Sequence, residues 1–273
     1  MHLQEKRQRT ALTLLSKPAA NIVLVALLIP LSMAEPVAVR HSQGLIHGFL
    51  VLRDNDDKLL ASGESLQTSR GNRVTVELTF HFKDGSFYQE TATYLQHQIF
   101  QLLAYHQISK GPSFKHAADF TLDVPSGIAK GSVTDDNGTA KAFYDHLKLT
   151  NNLSNGILTT LLLEIDPKAS KTDLSMVVLA PKPRVVKLVV TPAGQDSFTV
   201  GGAPNKALLF NVKIDIGGVA GVIAPLVGKQ PPDIHIWISS GKAPGFLKSE
   251  APLYEGGPIW KIQLASPDWG EKH

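Results

Sequence analysis

Hydrophobic and polar residues alternate strictly over long stretches of this chain. In residues 73–82, RVTVELTFHF, Val74, Val76, Leu78, Phe80 and Phe82 fall on one side and Thr75, Glu77, Thr79 and His81 on the other. Period two is the signature of a strand with one buried face. Residues 207–216, ALLFNVKIDI, repeat the pattern: Leu208, Phe210, Val212, Ile214 and Ile216 face a core, and Asn211, Lys213 and Asp215 face out. Ile234, Ile236 and Ile238 alternate with Asp233, His235 and Trp237 in DIHIWI, and PIWKIQL puts Trp260, Ile262 and Leu264 on the core side.

Turn chemistry interrupts these runs at short intervals. DNDDK (54–58), SRGNR (69–73), KDGS (83–86), DDNG (135–138) and the Gly pair 201–202 are hairpin signals. Together they predict a mainly β fold, an antiparallel meander over about 45–145 and again over about 172–265. One-sided alternation favours antiparallel pairing, since parallel sheets bury both faces. PKPRVV at 181–186 reads as a break between strands, not between domains.

The period changes once. In residues 153–165, LSNGILTTLLLEI, the apolar residues Ile157, Leu158, Leu161, Leu162 and Ile165 follow helical spacing. Ser154 or Asn155 is the expected cap and Pro167 the stop, while Gly156 weakens the pattern. One such helix between two runs of strands is expected to fill the concave side of a curved sheet or half-barrel. The alternative is that 157–165 forms another strand.

Charge changes the picture only at the N-terminus. Of 27 basic and 24 acidic residues, the first 34 positions hold four basic and one acidic, which leaves 23 of each. A neutral body argues against nucleic acid or an anionic membrane as electrostatic partner. The same 34 residues read as a secretory signal. Lys6, Arg7, Arg9 and Lys17 precede the apolar run Ile22–Leu31, and Ser32-Met33-Ala34 supplies small residues for cleavage after Ala34. The expected product is a single β-rich domain, 35–273, in the periplasm or outside the cell. The alternative is an uncleaved N-terminal anchor, the one way in which a membrane enters this reading.

Candidate chemistry is sparse. The absence of cysteine excludes disulfides, thiolate metal sites and a Cys nucleophile. Residues 217–232, GGVAGVIAPLVGKQPP, invite comparison with a phosphate loop, but Gly228-Lys229 is followed by Gln230 and the required upstream glycine is Ile223. Its thirteen uncharged residues between Asp215 and Lys229 are too few to span hydrocarbon. The segment therefore reads as a long apolar connection that either caps the core or walls an apolar ligand cavity. Val222, Ile223, Leu226 and Val227 are the candidate ligand contacts, with Trp237 a surface contact or a rim residue of a groove.

No histidine pair has metal-ligand spacing, and no G-x-S-x-G elbow occurs. His81 flanks a turn with Asp84, His116 is placed to meet Asp119, and His235 with Asp233 forms the weaker catalytic alternative, a general base across a strand pair from Lys213 and Asp215. No metal and no cofactor is expected.

The export signal, the meander, the single helix and the closing elements PPDIHIWIS and IWKIQL together resemble exported bacterial proteins of unknown function. These are antiparallel half-barrels similar in outline to lipoprotein-carrier and lipid-binding periplasmic folds. The resemblance covers most of the mature chain, carries over no functional residue, and implies an apolar cavity lidded by helices and loops. The sequence thus points to an exported non-enzymatic envelope protein that binds an apolar or amphipathic molecule or a partner protein. The alternatives are an exported hydrolase using the His235/Asp233 pair and a structural or assembly protein without ligand.

Overall fold

The computed structural model describes residues 36–180, 182–200, 202–216, 230–241 and 243–266. Eight strands come first: β1 (Ile46–Arg53), β2 (Leu59–Arg70), β3 (Arg73–Phe82), β4 (Phe87–Gln96), β5 (Phe100–Lys110), β6 (Ala118–Asp123), β7 (Ile128–Thr134) and β8 (Ala140–His146). The helix α1 (Leu158–Glu164) follows. Six more strands close the chain: β9 (Thr172–Val178), β10 (Arg184–Val200), β11 (Ala203–Asp215), β12 (Ile234–Ser239), β13 (Phe246–Ala251) and β14 (Trp260–Leu264).

All fourteen strands belong to one curved, unclosed antiparallel sheet in the order β8-β7-β6-β5-β4-β3-β2-β1-β14-β13-β12-β11-β10-β9. Each meander is built from nearest-neighbour hairpins, and they join where β1 pairs with β14, Leu50 opposite Leu264 and Leu52 opposite Ile262. The predicted turns fall between these strands, with Gly71, Gly85, Gly138 and Gly202 among their glycines.

One face of the sheet carries most of the core. Val74, Tyr94, Leu122, Leu174, Leu188, Phe210, Ile236 and Ile238 pack there around Ile157, Leu161, Leu162 and Ile165. A second cluster on the same face joins Leu50, Leu52, Phe80, Phe82, Tyr88 and Trp260 around Phe114, from the β5–β6 connection. The Phe114 ring lies 5.4 Å from Phe82 and 6.0 Å from Trp260, both edge-on, a favourable aromatic geometry.

The helix is shorter than its apolar pattern. It spans Leu158–Glu164, seven residues, with Ile157 at the N-cap position and no side-chain cap. The expected caps have another role. Ser154 Oγ donates to the Ser175 carbonyl, Asn155 Nδ2 donates to the Val177 carbonyl, and the Val177 amide donates back to Asn155 Oδ1. Residues 152–157 are thereby bound to β9, whose backbone groups compete successfully for these polar side chains.

Trp237 also departs from expectation. It stands on the outer face, yet it is only 4 % exposed. The β10–β11 register shifts between Pro192 and Gln195, and the hairpin beyond that shift brings Phe198 to Trp237, with Ala207 and Leu247 completing a small outer cluster. The indole Nε1 donates to Asp196 Oδ2 at 3.2 Å and Lys248 Nζ lies 4.5 Å from a ring centroid. Trp237 is thus held by packing, a hydrogen bond and a cation on the outer face.

Candidate functional site

The antiparallel register sets one row of inward side chains across the first meander. Gly48 faces Ser65, Ser65 faces Leu78, Leu78 faces Glu90, Glu90 faces Gln107 and Gln107 faces Phe120. The rows on either side are largely buried, Ile46 excepted. Leu50, Phe80 and Tyr88 lie under the Phe114 cluster, while Ala92 and Tyr105 lie in the α1 cluster beside buried Gln67. Gly48, Ser65, Leu78 and Glu90 remain half-exposed. We read this half-exposed row, with small side chains at two of its four positions, as a shallow trough between the two apolar clusters.

Glu90 is the chemical feature of this trough. Its neighbours two residues away on the same face are Tyr88 and Ala92, and Tyr105 is the cross-strand partner of Ala92. The Tyr88 hydroxyl donates to Glu90 Oε2 at 3.0 Å and the Tyr105 hydroxyl donates to the same oxygen at 2.8 Å. The Tyr105 oxygen also lies 3.0 Å from Gln107 Oε1. A phenol has one hydrogen, so when Tyr105 donates to Glu90 the Gln107 amide must turn its NH₂ toward the phenol oxygen.

Burial raises the Glu90 pKa, and the two phenolic hydrogen bonds partly offset the shift by favouring the carboxylate. Burial, and then the Glu90 charge, push both phenols well above the ordinary tyrosine range, so they serve as donors. Both tyrosines use Oε2. Among the described residues no protein group hydrogen-bonds Oε1, although the residue is partly open to solvent. The arrangement can hold a hydrogen-bond donor from a ligand against a fixed carboxyl, with apolar surface on both sides.

A second carboxylate is structural. Glu164 is buried at the end of α1, and its Oε2 accepts the backbone amides of Arg40 at 2.7 Å and His41 at 3.0 Å. Gln43 Nε2 approaches Oε1 at 3.3 Å, and the Gln43 backbone exchanges hydrogen bonds with the Gln96 side chain. Residues 37–43 are in this way strapped across α1 and the β4–β5 turn, where Ala38 bridges Ile99.

The sequence pattern placed Leu78 on a buried strand face but singled out neither Glu90 and its tyrosines nor Glu164. The signal was present in FYQETATYLQ, where period two puts Tyr88, Glu90, Ala92 and Tyr94 on one face, a carboxyl among aromatics. Glu164 lies at the helical spacing of Ile157 and Leu161, on the buried side.

The residues it did name are dispersed. Val222, Ile223, Leu226 and Val227 lie outside the described residues. His235 pairs in register with Asn211 and Glu250, not with Lys213 or Asp215. Asp233 Oδ2 accepts from Asn211 Nδ2 at 3.0 Å, and no hydrogen bond joins it to His235. His116 approaches Asp136 at 3.7 Å, whereas Asp119 pairs with His106 at 2.8 Å. Two open clefts of about 440 and 330 Å³ lie over β5–β8, their linings mixing polar groups such as Asp119 and Ser132 with apolar ones such as Phe143 and Ile108. Among the described residues no three metal-binding side chains converge, and no helix is long and apolar enough to cross a membrane.

Comparison with protein-family models, with curated proteins and with solved structures finds no match for this chain. Its antiparallel, mainly β architecture therefore stands on its own coordinates.

Proposed function

We propose that this chain is an exported, non-enzymatic envelope protein that holds an amphipathic small molecule in the trough crossing β1–β4. Glu90 is the observation that carries the reading. A carboxyl held by two buried phenols, with one oxygen unoccupied by protein and apolar clusters on both sides, suits a ligand with a donor head and an apolar body. Burying about 200 Å² of hydrocarbon along Leu78 and its neighbours would contribute roughly 5 kcal/mol before the entropic costs of binding. This assignment differs from the expectation drawn from residues 217–232 by placing the ligand on the first meander.

The test is native mass spectrometry of the protein recovered after export, with extraction and identification of copurifying molecules. A bound amphipath should appear in the native protein and vanish from Leu78→Trp, whose indole fills the trough, while His235→Ala retains it. An empty native protein, or an adduct that survives Leu78→Trp, refutes the assignment.

A further inference from the structure

The two ends of the first meander differ in chemistry. One end gathers the strap (36–45) with the start of β1, the β2–β3 turn and the β4–β5 turn, because antiparallel pairing places Ile46 opposite Gln67, Arg70 opposite Arg73 and Gln96 opposite Phe100. In residues 36–47, 66–73 and 96–101 there is no Asp or Glu. Arg40, Arg70 and Arg73 are exposed there. So are three large apolar side chains, Leu45 (76 % exposed), Ile46 (50 %) and Ile99 (36 %). The one carboxylate beneath the strap, Glu164, is buried and occupied by backbone amides.

Exposed apolar side chains at the same end of a sheet as three exposed arginines are unusual on a surface that meets only water; of the acids bordering these segments, Glu64 is held by His47 at 2.7 Å and Glu77 stands opposite Leu66. The opposite end of the same strands carries Asp54, Asp56, Asp57 and Asp84 in its turns, and no such combination. The chain also enters the fold at the basic end.

We propose that this rim is a docking surface for an anionic lipid bilayer, with Arg40, Arg70 and Arg73 at the headgroup phosphates and Leu45, Ile46 and Ile99 entering the interface. The neutral total charge of residues 35–273 conceals the asymmetry, because attraction to a charged surface decays over a Debye length of roughly 8–10 Å and so reads only the charges that face it. Each arginine near such a surface contributes about fivefold in affinity, and three together on the order of a hundredfold. Apolar insertion fixes the orientation that charge alone leaves loose.

The absence of cysteine makes the test direct. A polarity-sensitive dye is placed on the full chain through Asn72→Cys, in the β2–β3 turn, or through Asn55→Cys at the opposite end. Vesicles of phosphatidylcholine with 30 % phosphatidylglycerol, or of phosphatidylcholine alone, carry nitroxide-labelled acyl chains. The expected result is a blue shift and nitroxide quenching at position 72, much stronger with the anionic vesicles, and an unchanged probe at 55. Arg40→Gln/Arg70→Gln/Arg73→Gln in the Asn72→Cys chain should weaken the position-72 response about a hundredfold at an unchanged circular dichroism spectrum. The inference is overturned if the probe at 72 stays in water, if the probe at 55 responds equally, or if the triple variant binds as the parent does. These readouts report which end of the sheet meets lipid, whatever happens to the apolar run Ile22–Leu31, and do not depend on the trough.

Discussion

Gly156 determines how α1 seats on the sheet, and its replacement by alanine should be costly for two separable reasons. Its φ is +67°, a conformation in which an L side chain is strained by roughly 1–2 kcal/mol. A Cβ at this position would also sit 2.7 Å from the Ala92 methyl and 2.9 Å from two Tyr105 ring carbons. Both neighbours are buried in the main cluster, so relief requires displacing a packed core, at about 1–3 kcal/mol. Gly156→Ala should therefore lose about 2–5 kcal/mol in urea unfolding followed by tryptophan fluorescence and circular dichroism. Gly71→Ala isolates the backbone part, since φ is +59° there and nothing lies within 4 Å of the added carbon; it should lose only about 1–2 kcal/mol. Ala92→Gly combined with Gly156→Ala should restore part of the difference, a coupling expected between touching groups. Equal losses in the two single variants, or no coupling in the double, would refute the claim that close approach to β4 and β5 dictates glycine at 156.

Three further outcomes are expected. Glu164→Ala strands the amides of Arg40 and His41, costs about 3 kcal/mol, and should abolish their protection in hydrogen exchange while leaving β9–β12 protected. Because the folded Glu90 pKa lies above its ordinary value of 4.5, the folded state holds the proton more tightly than the unfolded one, and stability falls as pH rises from 4.5 through the folded pKa. Melting temperatures of Glu90→Gln and parent should thus coincide near pH 4 and diverge in favour of the variant toward pH 7; parallel curves would contradict this. Trp237→Phe removes the hydrogen bond to Asp196 and weakens the Lys248 contact, and should lower stability by about 1–2 kcal/mol by thermal melting without affecting ligand retention or vesicle binding.

The strand pattern was legible because it is local. Alternation in RVTVELTFHF and DIHIWI reports which face is buried, and Asp-Gly and Asn-Gly turns report where the chain reverses, so the limits of both meanders could be read residue by residue. The existence and apolar side of α1 followed from spacing in the same way. Its true length did not, since Ser154 and Asn155 are good caps in isolation and become β9 partners only when that strand lies beside them. The face of Trp237 was legible and its burial was not, because the covering residue, Phe198, arrives through a register shift far away in sequence.

The site belongs to the second kind of information. That Tyr88 and Glu90 share a face is written in their spacing of two. That Tyr105 completes the pair, that Gly48, Ser65 and Leu78 align with Glu90, and that three arginines collect at one end all depend on which residues stand opposite one another. Sequence alone determined the strands, the turns and the neutral total charge, since these rest on neighbouring side chains and on sums. Only the tertiary structure decided register, and register places chemistry, because a one-residue slip between strands would send Glu90 and Tyr105 to opposite faces of the sheet.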